Sequence, residues 1–142
     1  MGKYSWMKVV DVMTRNPLSI SPSETVGQAD ELMSQNGIRQ LPVIKDDALI
    51  GIVTDRDLRS FLSNSLLSPP EERERALGTE VNEIMTTHPL TVAPDDELQE
   101  AVELLLEEKI GGVPVIDESE RLVGIITYID VLKCFLNRLQ EE

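Results

Sequence analysis

The amino-acid sequence predicts an α+β protein, two copies of a β-α-β-β-α unit whose sheets pack against each other. Three observations lead there. The chain repeats itself at a nearly fixed spacing, each copy switches between the helical and the strand period in the same order, and 142 residues are too few for either copy to bury a sheet alone. A piece of about 60 residues hides only ~60% of its unfolded surface.

Residues 9–44 align with 81–116 at an offset of 72, and 13 of those 36 positions are identical, among them Met13/Met85, Thr14/Thr86, Pro17/Pro89, Pro22/Pro94, Ala29/Ala101 and Pro42/Pro114. One extra residue in the second copy, near Glu118–Arg121, moves the offset to 73. Leu49/Leu122, Gly51/Gly124, Ile52/Ile125, Thr54/Thr127 and Asp57/Asp130 then match. The insertion falls among polar residues, KDDA against DESER, where a hairpin loop absorbs it.

Each copy opens on a short apolar stretch, LSI at 18–20 and LTV at 90–92, which reads as a strand. After the next proline, Ser23 or Asp95 offers an N-cap. The helix that follows is written by Val26, Ala29, Leu32 and Met33 in the first copy and by Leu98, Ala101, Val102 and Leu105 in the second, all at helical spacing. Two strands come next, LPVI to LIGIV and VPVI to LVGIIT, each pair joined by a tight polar turn. A closing helix begins near Thr54 or Thr127; it carries Leu58, Phe61 and Leu62, or Leu132, Phe135, Leu136 and Leu139. The repeats so read span 9–62 and 81–138. Between them the linker, 63–80, holds Ser68-Pro-Pro-Glu71, a capping-box pattern, and Gly78, which together predict a short helix.

The formal net charge of −13 argues against a nucleic-acid polymer as partner, because such binding draws its affinity from Lys and Arg on phosphates. A small anion beside a few local arginines is still compatible with it. No apolar run approaches the roughly 18 residues that cross a bilayer, and MGKYSWMKVVDVM has neither the h-region nor the cleavage site of a signal peptide, so no membrane insertion and a cytoplasmic location are expected. Gly2 opens no myristoylation motif, since Trp6 stands where Ser or Thr is needed. Cys134, the single cysteine, allows no internal disulfide and reads as a buried small hydrophobe. His88 reads as an exposed loop residue, like its counterpart Asn16. The acidic run from Asp95 through Glu108 reads as the solvated face of a helix, and no metal site is expected.

The duplicated MT-x-x-P, the helix alanine, the LPVIKDD and VPVIDES strands and G-h-h-T-x-x-D, present as two ordered sets, resemble a CBS-domain pair (Bateman module) of the stand-alone tandem type. The likeness covers Val9 to about Phe135. It implies a pseudo-twofold pair of repeats with two equivalent clefts for adenosine-containing ligands: AMP, ADP or ATP, or S-adenosylmethionine. It also implies that each cleft takes Thr-x-x-Asp from one repeat and its remaining wall from the other. Carried onto this chain, site A combines Ile125, Thr127 and Asp130 with Thr14, Leu18, Arg39, Gln40 and Leu41. Site B combines Ile52, Thr54 and Asp57 with Thr86, Leu90, Gly111, Gly112 and Val113, and has Arg56 and Arg59 on its own helix.

The chemistry of those positions is coherent. A carboxylate in the first turn of a helix can accept hydrogen bonds from both ribose hydroxyls, the role of Asp57 and Asp130. Thr54 and Thr127 fall where a strand ends and a helix starts, where hydroxyls and free N–H groups meet a phosphate. Ile52 or Ile125 with Leu41 or Val113 would sandwich an adenine. The two sites differ: Arg39 and Lys133 belong to site A, Gly111-Gly112 and Arg56 to site B, and Asp55 adds a negative charge to B, so different affinities are expected.

The implied function is a non-catalytic regulatory module for energy sensing, requiring no cofactor, in which the adenine nucleotide biases two states and an effector on a separate chain reads the change. Only eight residues precede the first repeat, hence the separate chain. A homodimer is expected through the apolar stripe of the last helix. The alternative is a ligand-free dimerising scaffold. An enzyme is disfavoured by one His, one Cys and the lack of a Walker-type loop or G-x-G-x-x-G.

Overall fold

The computed structural model describes residues 7–63 and 67–141; Gly2, Trp6 and linker residues 64–66 lie outside the described residues. In chain order the regular elements are β1 (Thr14–Arg15), α1 (Val26–Asn36), β2 (Gln40–Lys45), β3 (Ala48–Thr54), α2 (Asp55–Ser63), α3 (Pro70–Leu77), β4 (Thr86–Thr87), α4 (Leu98–Glu108), β5 (Gly112–Ile116), β6 (Leu122–Thr127) and α5 (Tyr128–Gln140). They form two compact units: one is the continuous stretch 18–89, and the other joins residues up to Pro17 with those from Leu90 onward.

Each unit contains one three-stranded antiparallel sheet, ordered β2-β3-β4 in the continuous unit and β1-β6-β5 in the other. The hairpins are the apolar runs read from sequence. The third strand of each sheet was not read: β4, from the start of the second repeat, pairs Thr86 with Ile52, and β1, from the start of the first, pairs Thr14 with Ile125. The repeats have exchanged their lead-in strands.

That exchange displaces the expected first strands. LSI and LTV contribute only single parallel bridges, Ile20 to Val43 and Val92 to Val115. Prolines at 17 and 22, and at 89 and 94, bound each stretch and supply no N–H to a ladder. The helix caps move for a related reason. Thr25, not Ser23, caps α1, its side chain and that of Gln28 completing a capping box, while Glu97, not Asp95, precedes α4 and makes no side-chain cap bond. In both places an exchanged lead supplies the missing acceptor: Val26 N–H donates to the Thr79 carbonyl (2.8 Å) and Leu98 N–H to that of Met7 (2.9 Å). α3 likewise starts after Pro69 rather than being capped by Ser68, and it ends at Gly78.

The hairpin turns absorb the one-residue difference between copies. β2–β3 turns on Asp46 and Asp47, both with positive φ (51° and 66°), whereas the longer β5–β6 turn has Glu120 at φ 64°. Asp117 organises that second turn: its Oδ1 accepts from the N–H groups of Ser119 (2.8 Å) and Arg121 (3.0 Å). These bonds, Arg121's first, hold its carboxyl below the usual carboxylate value.

Two apolar cores result. Ile20, Val26, Ala29, Met33, Leu41, Val43, Val53, Leu58 and Val81 fill one; Val9, Met13, Val92, Ala101, Leu105, Val113, Val115 and Ile126 fill the other. The last-helix stripe belongs to neither: Leu132, Phe135, Leu136 and Leu139 are exposed, Phe135 by 56%. Cys134 is half-buried rather than buried.

The two first helices end alike but with different residues. Gly37 closes α1 at φ 62°, and Lys109 closes α4 at φ 54°. A side chain in that left-handed region costs about 1 kcal/mol that glycine avoids. Lys109→Gly is therefore expected to stabilise the protein by about 1 kcal/mol, visible as a higher urea midpoint with an unchanged m-value.

Candidate functional site

The repeated threonine and aspartate stand at the two places where a sheet's central strand runs directly into a helix. β3 ends at Thr54 and α2 begins at Asp55; β6 ends at Thr127 and α5 begins at Tyr128. A helix start leaves N–H groups unpaired, and the same local device answers this in both units. Thr54 N–H donates to Asp57 Oδ2 (3.0 Å) and Asp57 N–H to Thr54 Oγ1 (3.1 Å). Thr127 N–H donates to Asp130 Oδ2 (2.9 Å) and Asp130 N–H to Thr127 Oγ1 (3.3 Å). Both aspartates thus cap their helices, and neither is buried.

The residue just before the first strand of each hairpin fixes the start of the helix through its backbone. Asp55 N–H donates to the Arg39 carbonyl (2.9 Å), and Tyr128 N–H to the Gly111 carbonyl (3.2 Å). In register, Gln40 faces Thr54 and Gly112 faces Thr127. The Arg39 and Gly111 carbonyls were not singled out from sequence as helix anchors; their equivalent places just before each hairpin were the available signal.

The exchanged strands add the third element. Thr14 Oγ1 donates to Asp130 Oδ1 at 2.8 Å. Thr86 occupies the equivalent register opposite Ile52, yet no hydrogen bond joins it to Asp57 among the described residues. Met13 and Met85, the methionines of the duplicated MT, lie against Gly124 and Gly51.

The unit closed by α5 therefore brings together Thr14, Ile125, Thr127 and Asp130 of site A, and it also contains Leu90, Gly111, Gly112 and Val113 of site B. The continuous unit brings together Ile52, Thr54, Arg56, Asp57 and Thr86 of site B, and it contains Leu18, Arg39, Gln40 and Leu41 of site A. Leu18 and Leu90 are exposed apolar residues, 43% and 48% accessible. Leu41 and Val113 are not available for stacking: both are 0% exposed, their side chains built into the two cores. Ile52 and Ile125 keep a small accessible area.

Charges near the two carboxylates are distributed unequally. Arg59 pairs with Asp55 at 3.2 Å in an exposed ion pair, worth little in stability, while Arg56, also exposed on α2, makes no ion pair among the described residues. Beside Asp130 a cavity of about 300 Å³ is lined by Lys133, Cys134, Asn137, Arg138 and the N-terminal Met7, Asp11 and Val12. Among the described residues no cluster of His, Cys, Asp and Glu is arranged to hold a metal ion, and no helix is long and apolar enough to cross a membrane.

Comparison with known proteins finds one family along the chain. A CBS domain family model matches residues 9–64 and again 81–137. The CBS-pair protein CBSX2 from Arabidopsis thaliana, solved in complex with AMP, is 35% identical, with a TM-score of 0.79 over 92% of this chain and 96% of that one. The CBS domain pair of protein MJ0100, solved with 5′-methylthioadenosine and S-adenosyl-L-methionine, is 25% identical, with a TM-score of 0.77 over 91% of this chain and 99% of that one. Inosine-5′-monophosphate dehydrogenase of Methanocaldococcus jannaschii is 32% identical over 127 residues, 89% of this chain but 23% of the enzyme. The chain thus spans about a quarter of that relative.

Proposed function

This chain belongs to the CBS-domain family, and from that premise we propose that it is a non-catalytic cytoplasmic regulatory module that binds an adenosine-containing ligand and signals to a partner protein. AMP, ADP or ATP is the ligand class, with S-adenosylmethionine as the other candidate. The observation that carries the reading is the duplicated box of Thr54/Asp57 and Thr127/Asp130: an accessible carboxylate fixed at a helix start, next to a threonine hydroxyl and the positive end of a helix dipole. A ribose diol fits the carboxylate and a phosphate fits the hydroxyl. The AMP-bound and S-adenosylmethionine-bound relatives support the same class. In this reading the ligand binds one of two states of the protein more tightly and so shifts the balance that the partner reads.

The exposed stripe on α5, with Ile129, Leu132, Phe135, Leu136 and Leu139, supports self-association as a homodimer through that helix. It also favours the second reading, a dimerising scaffold without ligand. Calorimetric titration of nucleotide-free protein with AMP, ADP, ATP and S-adenosylmethionine separates the two. Saturable binding, with about 2.7 kcal/mol of stabilisation at a hundredfold excess of ligand over Kd, is expected for at least one of them. A well-folded protein that gives no heat with any of the four leaves the scaffold.

A further inference from the structure

We propose that Thr14 sets the order in which the two carboxylates take their ligand, by latching Asp130 and leaving Asp57 open. The inference rests on the ribose-binding role proposed above for both aspartates, and it ranks them. An ionised carboxylate offers about four lone-pair sites, and a vicinal diol needs two of them. At Asp57 one is in use, by the Thr54 N–H on Oδ2, which leaves three. At Asp130 three are in use: Oδ2 accepts from both the N–H (2.9 Å) and the hydroxyl (3.0 Å) of Thr127, and Oδ1 accepts from the Thr14 hydroxyl (2.8 Å). One remains. A diol can therefore dock on Asp57 as it stands, whereas on Asp130 it must first displace a hydroxyl from an ionised acceptor.

The threonines differ in the same direction. The Thr54 hydroxyl accepts from Asp57 N–H and gives its proton to no acceptor among the described residues, so it is ready for a phosphate oxygen. The Thr127 hydroxyl has already given its proton to Asp130. Residue type does not explain the contrast, because Thr14 and Thr86 are identical in kind and in register; the difference is the hydrogen bond that Thr14 makes and Thr86 does not.

Losing one hydrogen bond to a charged group corresponds to about tenfold or more in affinity. AMP titrated into the full chain is expected to show two phases at least tenfold apart. Asp130→Asn should keep the tighter phase and Asp57→Asn only the weaker one. In the Asp57→Asn background, Thr14→Val should strengthen the remaining phase by about tenfold, while Thr14→Ser, which restores the hydroxyl, should leave it as it was. Circular dichroism and melting temperature confirm that each variant folds. Loss of the tighter phase in Asp130→Asn, or a remaining phase that Thr14→Val weakens or leaves unchanged, overturns the ranking while the adenosine reading stands. Wild-type protein that binds none of the adenosine ligands overturns both.

Discussion

Removing residues 1–15 is expected to unfold the half of the protein that lies furthest from them in sequence. Among its described residues the segment carries three buried side chains, Met7, Val9 and Met13, each contributing about 1.5–3 kcal/mol on burial. It also supplies the acceptor for Leu98 N–H, the N–H groups of Val9 and Val10 that donate to Asp96 and Pro94, and strand β1. The sum approaches the ~5–15 kcal/mol that holds an ordinary domain together. Hydrogen exchange of a chain beginning at Asn16 should show protection lost across 112–116 and 122–127 and retained across 40–54. Loss confined to 40–54 would mean that each repeat folds on its own lead, contrary to the exchanged pairing.

The second large effect is expected at the glycines that begin GIVT and GIIT. A Cβ on Gly51 would stand 2.6 Å from Met85 Sδ and 2.9 Å from the Thr86 carbonyl oxygen; on Gly124, 2.5 Å from Met13 Sδ and 2.9 Å from the Thr14 carbonyl oxygen. The methionine tail can turn aside, but the carbonyl belongs to the exchanged strand and retreats only if that strand lifts off the sheet. Gly51→Ala and Gly124→Ala should each cost about 2–3 kcal/mol in urea denaturation, at the upper end of overpacking effects. Gly78→Ala is the control: nothing comes nearer than 3.5 Å there, its backbone is one alanine adopts, and the substitution should raise stability by up to about 1 kcal/mol rather than lower it. Equal costs at all three positions would remove the steric explanation.

Much of this architecture is written in local pattern. The helices beginning at Val26 and Leu98 were legible from apolar spacing, and the two hairpins from their β-branched runs and polar turns. The exchange was not, because Thr14–Arg15 and Thr86–Thr87 are two residues long and carry no period; which sheet receives them is decided by tertiary packing. The caps illustrate a narrower limit. Ser23 and Thr25 are both good capping residues two positions apart, and the choice between them follows from the bridge that Thr25 makes with Glu80.

The candidate site divides along the same line. Thr54/Asp57 and Thr127/Asp130 could be found because the box spans three residues and recurs. The burial of Leu41 and Val113 could not, since LPV and VPV are buried on both faces and offer no alternation from which a side chain's direction is read. The Thr14 to Asp130 bond joins residues 116 positions apart, beyond the reach of any local pattern.

The exchanged strands also impose a timetable on synthesis. The middle of the chain owns every strand of its sheet once Thr87 has been made, so it can close while translation continues. β1 has no partner until β6 is made, and at about 5–20 residues per second it waits roughly 5 to 20 seconds as an unpaired edge. Contacts of such long sequence separation are slow to form in any case. The newborn chain therefore passes through an interval in which β1 is made but unprotected, and that interval ends only when Thr14 and Arg15 find Ile125 and Gly124.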